Sequence, residues 1–438
     1  MGRVALTAVA FSIAATGACK EGAKREERAT DGLVRVDQIA KVLPSIRRLS
    51  LDRPIPAARQ TTTDFLGFVR TSIAGDTHLD HHAIALQALG LIEPATNVAK
   101  SLESAYSTQI AAYYDPRKRA FALVMEPADP TIFDVLISHE LTHGLQDQHF
   151  DLTTYLGGTQ DHPLNADEQI ARRFVTEGDA QFTSMVHLVY TKTDQKELTG
   201  EQVRVAKREL AKLSDLDVKA MAASVKQQLG SANVDAGAFQ TALDAMPGIP
   251  PAILEPILAP YMRGATMIAE VYERGGWTAV DKLYKDPPLS TKQVLHPREE
   301  LIGGPHAPRV LTLPPITAKD SVLLESDVLG ELMWSVYFRR WKHAGEARPE
   351  VGWEGDRYAV WRDAHGVTTV IATAWTTSYH AKDFYDAYLS TLDARFPDRK
   401  PGTGEQVRER LWVRLVEDRV LIVDGSATSL LDAVEQTP

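Results

Sequence analysis

Apolar positions recur at helical spacing between Val36 and about Ala111. Pro44, Pro54 and Pro56 break up the first part of this stretch, and Thr63-Asp64 opens an apolar-periodic segment that runs through Ile73. An Ala/Leu-rich helix is expected from His82 to Leu89. The period then changes. Ala111 to Met125 reads as strand, turn and strand, with Asp115-Pro116 as the turn signal. Ala120 to Met125 is the second, short apolar strand, and it offers an edge to an extended peptide. Asp129-Pro130 supplies an N-cap and a first-turn proline, so a helix is expected over about 130–148. Phe133, Ile137, Leu141 and Leu145 form its core-facing stripe. Asn165-Ala166-Asp167-Glu168 resembles a capping box and starts a second helix over about 166–190.

Residues 195–245 are charged and low in Gly and Pro, and they read as a solvated helical insertion. Pro247 to Pro256 is a cluster of helix breakers. Pro260 to Gly275 is the next helix, packing Met267, Ile268 and Val271. Residues 301–320 are Pro-rich and read as a linker. Ser326-Asp327 caps a helix to about Trp341. Strands at Tyr358–Arg362 and Val367–Thr376 flank the turn Asp363-Ala364-His365-Gly366, and a helix runs from about Ala381 to Phe396. A second hairpin at Trp412–Val416 and Val420–Val423 precedes a terminal helix. Trp353, Trp361 and Trp375 are assigned to the core. The pattern predicts an α+β chain that is mostly helical: a domain over 36–300 with a small edge-strand sheet, and a smaller α+β domain over 321–438.

Composition supports more than one domain, because 438 residues exceed the ~250–300 at which a single core stops growing. The net charge is −10 and there is no basic block, which argues against nucleic acid as a partner. Arg3 precedes an apolar run, Val4 to Ala18, shorter than the ~20 residues of a bilayer span. Residues 1–18 therefore read as a secretory signal. The run ends Thr16-Gly17-Ala18-Cys19, which resembles a bacterial lipobox, with Thr16 where Leu is usual. Cys19 is the one cysteine in the chain and stands where the lipid would be attached. Residues 19–35, rich in Lys, Arg, Glu and Gly, then form a tether. The expected location is the cell envelope, with the membrane as a partner through the lipid anchor.

The candidate chemistry lies on the helix at 130–148. His139-Glu140-Leu141-Thr142-His143 is an H-E-x-x-H pattern. Two histidines four apart share a helix face and can bind one zinc ion. Glu140 is placed to take a proton from a water on that ion. A catalytic site needs a third ligand and an open position. His149 has the spacing of the metzincin third histidine, but Gln146 stands where those proteins need Gly to leave the helix. Glu177 lies in the stripe Ile170, Phe174, Glu177, Gln181, Met185, where a lone carboxylate needs a cation such as a metal, Arg172 or Arg173. Gly178 beside it allows close approach to the first helix, and Asp179 is suited to orienting a ligand histidine. His78, His81 and His82 sit at a solvated helix start without a carboxylate or cysteine to complete a site.

With Glu177-Gly178-Asp179-Ala180 on a second helix, the pattern resembles the gluzincin clan of zinc metallopeptidases. More closely, the chain resembles a family of bacterial, often lipid-anchored, gluzincin-like proteins. The matching segments are Ala112-Tyr113-Tyr114-Asp115-Pro116, the stretch His139 to Leu152, Glu177 to Ala180, Gly275-Gly276-Trp277 and Ser290 to Pro297, within roughly residues 80–300. The resemblance implies a zincin-like domain, His139, His143 and Glu177 as zinc ligands, and Glu140 as general base and acid. Gln181 stands where thermolysin-like gluzincins carry a second carboxylate. An oxyanion donor besides zinc is needed, with Tyr113, Tyr114 and His296 as alternatives. The expected function is zinc-dependent hydrolysis of a peptide or protein substrate. The alternative keeps the scaffold as a catalytically silent envelope binding or assembly factor.

Overall fold

The computed structural model describes residues 7–8, 32–107, 111–126, 129–214, 244–302, 306–313, 321–342 and 348–425. Cys19, most of the expected signal segment, residues 20–31 of the tether and the expected terminal helix lie outside the described residues. The chain is α+β and mostly helical. Among the described residues no helix is long and apolar enough to cross a membrane.

Helix α1 (Gly32–Arg47) starts inside the stretch read as tether and continues through Pro44. It buries Val36, Ile39, Leu43 and Ile46. Each such side chain contributes about 1.5–3 kcal/mol, which together exceeds the ~3 kcal/mol of an interior proline. After β2 (Ala57–Arg59), α2 (Thr62–Ala74) is capped by Thr61 in a reciprocal box with Asp64. α3 (Leu79–Ala88) and α4 (Val98–Ser107) follow. His82 pairs with Glu325 at 3.0 Å rather than joining its neighbouring histidines.

The expected hairpin is β3 (Ala112–Asp115) and β4 (Ala120–Leu123). With β1 (Thr7–Ala8) the sheet order is β1-β3-β4-β2. This corrects the reading of the second strand as an edge. β2 pairs parallel with β4 on one side and β3 antiparallel on the other. The Pro-bounded segment Ala57–Arg59, unremarkable as sequence, fills that side. On the other side Thr7–Ala8 pairs antiparallel with Tyr113–Tyr114, so β1 is the outer strand beyond β3.

Four helices follow: α5 (Pro130–Phe150), α6 (Leu152–Gly157), α7 (Ala166–Thr193) and α8 (Gly200–Ser214). α8 is not solvated all round. It buries Val203, Ala206 and Leu210, and Lys207 reaches Glu270 and Glu273 at 2.8 and 2.6 Å. Both acids lie on α9 (Pro251–Lys285), which starts inside the expected breaker cluster and runs on through Pro256. Pro251 sits at the first turn, where it costs nothing, and burial of Ile253, Leu254, Ile257 and Leu258 carries the helix past Pro256 and Pro260. The break comes at Gly275–Gly276, with φ of 61° at Gly276. α10 (Thr291–Leu295) ends this half.

The remainder is β5 (Val322–Asp327), α11 (Gly330–Arg340), β6 (Trp353–Asp363), β7 (Gly366–Trp375), α12 (Ser378–Arg395), β8 (Pro401–Thr403), β9 (Gln406–Arg408), β10 (Leu411–Val416) and β11 (Arg419–Asp424). The sheet order is β5-β6-β7-β11-β10-β9-β8. Ser326-Asp327 ends a strand instead of capping a helix. The amides of Leu329 and Gly330 donate to Asp356 of β6 at 2.8 and 2.9 Å, so the cap of α11 comes from a distant strand. Trp353, Trp361 and Trp375 are buried. One apolar cluster joins Phe65, Leu86 and Ile253 to Trp334 and Tyr358, so the region after residue 321 shares its core with the helices before it.

Candidate metal centre

Asp129 caps α5 by accepting from the amides of Thr131 and Ile132. Phe133, Ile137, Leu141 and Leu145 then pack with Val36, Ile39 and Leu43 of α1 and with Phe121 and Leu123 of β4. This stripe sets the rotation of α5 and turns His139, Glu140 and His143 inward, each with 0% exposure. Asn165 caps α7 through the amide of Glu168. α7 is held by a close crossing with α9: a Cβ on Gly178 would stand 2.4 Å from the carbonyl of Gly264. Gly178 therefore serves the approach to α9, which corrects the expectation that it serves the H-E-x-x-H helix.

The two helices bring three acceptor atoms together. His139 Nε2 and His143 Nε2 are 3.1 Å apart, and each is 3.3 Å from Glu177 Oε2. Tetrahedral bonds of about 2.0–2.1 Å place ligand atoms roughly 3.3 Å apart, so this triangle has the dimensions of three ligands around one zinc ion. His143 Nδ1 lies 2.8 Å from Gln146 Oε1. An amide oxygen only accepts, so Nδ1 carries a proton and Nε2 is the nitrogen left to face the triangle. Glu140 also lies within 4.8 Å of the two histidines, but the tighter set is completed by Glu177.

Burial works against charge throughout the cluster. It lowers the pKa of His139. For His143 burial is outweighed by the Glu177 and Glu140 carboxylates, which raise the pKa to about 9. Burial pushes Glu177 up, but the two imidazoles bring it down to about 2. Glu140 is pushed well above the usual carboxylate range by burial. Its Oε2 accepts the backbone N–H of Tyr114 at 2.7 Å, while its Oε1 has no protein hydrogen-bond partner. On β3 that N–H points away from β4, because Phe121 opposite turns its own N–H to the carbonyl of Pro56, just before β2. The side of β3 on which Thr7–Ala8 pairs thus also faces the candidate base.

His149 is not brought to the triangle, and its Nε2 lies 2.8 Å from the Ser50 carbonyl. The hydroxyl of Tyr113 donates to Gln60 at 2.7 Å and that of Tyr114 to Asp147 at 2.8 Å. His296 Nε2 is 2.6 Å from Glu331. Arg172 pairs with Glu168, not Glu177. Two further side chains flank the site: Tyr261, which sequence reasoning missed, and Arg173, which it named as a possible partner of Glu177. Tyr261 of α9 stacks on His139 with ring centres 5.9 Å apart. Arg173 stands one turn before Glu177; burial opposes its charge, but Tyr106, Glu177 and Tyr261 outweigh that and hold it protonated. The signal for Tyr261 was its place three residues before Gly264, which is visible only once Gly264 is known to touch Gly178. Gln181, where gluzincins carry a carboxylate, interacts with the His139 ring, although His139 Nδ1 lacks a hydrogen bond of good geometry.

Residues 321–435 match a family model described as Domain of unknown function (DUF8575). That stretch contains none of the residues of the triangle. No curated protein and no solved structure matches the chain.

Proposed function

We propose that the protein is a zinc-dependent peptidase of the zincin type, carried at the cell envelope on a lipidated Cys19. The single observation that carries the reading is the triangle of His139 Nε2, His143 Nε2 and Glu177 Oε2 at 3.1–3.3 Å, with the Glu140 carboxylate beside it. Zinc held by these three residues would polarise a substrate carbonyl and acidify a water in the open fourth position.

Glu140 would be the residue that accepts a proton from the attacking water and returns it to the leaving amine. Burial pushes its pKa upward. The amide of Tyr114 fixes one of its oxygens and leaves Oε1 for the water. An extended peptide would add to β3 along the edge on which Thr7–Ala8 pairs. Backbone hydrogen bonds along that edge bind without demanding a particular sequence. Tyr261 and Arg173 are the polar side chains best situated to meet developing negative charge on the substrate oxygen.

The test compares zinc content and hydrolysis of a peptide pool for wild type and Glu140→Gln. Equal zinc in both, with hydrolysis reduced by roughly 10²–10⁴ in the variant, is the expected result. Full zinc occupancy without hydrolysis of any peptide by wild type would move the reading to a silent envelope scaffold.

A further inference from the structure

Behind His143 the hydrogen bonds continue inward through four helices. Gln146 Nε2 donates to the Thr176 carbonyl and to Asp179 Oδ2, both at 3.0 Å. Asp179 Oδ2 also accepts from the Tyr284 hydroxyl at 2.8 Å. Asp179 Oδ1 accepts from Arg47 Nε at 2.7 Å, and Arg47 reaches Asp281 with a second nitrogen at 2.7 Å. The Arg47 guanidinium lies 4.6 Å from the centre of the Trp277 ring. Gln146, Asp179 and Arg47 are all 0% exposed.

A buried ion pair of this kind contributes little net stability, because desolvation offsets the attraction. It does set direction. The amide nitrogen of Gln146 meets two acceptors, so its oxygen is left facing His143. Turning the amide over would put N–H against N–H at His143 and oxygen against the Asp179 carboxylate, two repulsions in a low dielectric. Asp179 fixes the amide, and Arg47 holds Asp179 in place through its Oδ1.

We propose that Gln146 is the positioning residue of the metal centre. It holds His143 with Nε2 facing the triangle, and is itself held by Asp179 and Arg47. This rests on the zinc reading above. The link to the histidine is a neutral amide, so the charge of Asp179 is met by Arg47 and does not reach the imidazole. Helix α1, which begins inside the expected tether, thereby becomes part of the support of the site.

The experiment measures zinc affinity of the full chain by competition with a chromophoric chelator, with circular dichroism on the same samples. Gln146→Leu is expected to fold and to bind zinc roughly 10–100-fold more weakly. Gln146→Glu sets a carboxylate against Asp179 and should also weaken binding about 10-fold or more. Gln146→Glu combined with Asp179→Asn rebuilds the donor–acceptor order and should recover most of that loss. Zinc affinity of Gln146→Leu within about twofold of wild type would overturn the proposal. Should Gln146→Leu fail to fold, unchanged affinity of Gln146→Glu, or no recovery in the double variant, overturns it equally. Zinc binding by wild type without hydrolysis sinks the peptidase reading and leaves this inference intact. A wild type that binds no zinc sinks both.

Discussion

Glu177 Oε2 lies 3.3 Å from His139 Nε2, across 38 residues of chain. The contact joins α5 and α7, which are also tied by the hydrogen bonds of Gln146 to the Thr176 carbonyl and to Asp179. Removing the carboxylate takes away one arm of the triangle and leaves two buried imidazoles with nothing to complete them. Glu177→Ala should weaken zinc binding by more than about 100-fold, whereas His149→Ala, whose imidazole bonds the Ser50 carbonyl, should leave it unchanged. Zinc content after exhaustive dialysis separates the two. Loss of zinc from His149→Ala with retention in Glu177→Ala would reverse the ligand assignment.

Gly178 and Gly264 are the second relationship on which the site depends. Backbone faces backbone there, so an added methyl group has no flexible side chain to displace. Gly178→Ala should cost about 3 kcal/mol through overpacking, and should loosen zinc because Glu177 moves with α7. Urea unfolding with and without zinc measures both effects. A variant as stable as wild type would show that the helices can separate freely.

His187 gives the fold a dependence on pH. It is 3% exposed on α7, its Nδ1 has no partner, and burial, with a smaller push from Arg35 against the pull of Asp134, lowers its pKa to about 4. The unfolded chain titrates near ~6.5. On acidification the unfolded state takes the proton first, so stability present above pH ~6.5 is lost as pH falls towards 4. The loss from this group between pH 6.5 and 5 is at most roughly 2 kcal/mol. His187→Leu should flatten the stability profile over that interval in denaturant titrations. Parallel profiles for the two proteins would show that another group governs acid sensitivity.

The shared core predicts that the part before residue 314 does not stand alone. Ending the chain there would expose Phe65, Leu86 and Ile253, which pack in one cluster with Trp334 and Tyr358. The shortened chain should bind a hydrophobic dye and be cut rapidly by added protease, although every residue of the triangle is retained. A protease-resistant product with full zinc affinity would show that the first part is an independent domain.

Much of this was legible in the sequence. The caps of α5 and α7, the apolar stripe of α5, the hairpin at β3 and β4 and the strands β6, β7, β10 and β11 follow from local patterns, because each depends on residues a few positions apart. Three expectations failed where distant partners decide. α9 runs through Pro256 and Pro260 because its burial outweighs the broken bonds. Ser326-Asp327 is strand because Asp356 caps the helix that follows. β4 is an inner strand because β2 reaches it from more than 60 positions earlier in the chain.

By itself the sequence determined the content of the site: two histidines and a glutamate on one helix turn, and a carboxylate on the next long helix that needed a cation. Periodicity and side-chain chemistry are local properties, and they read directly from residue order. Only the tertiary structure decided the 3.1–3.3 Å spacing of the acceptor atoms and the partner of His143. It also decided which edge of the small sheet faces Glu140. Those depend on how α5, α7 and α9 cross, and a crossing is set by contacts between residues far apart in the chain, which no local pattern encodes.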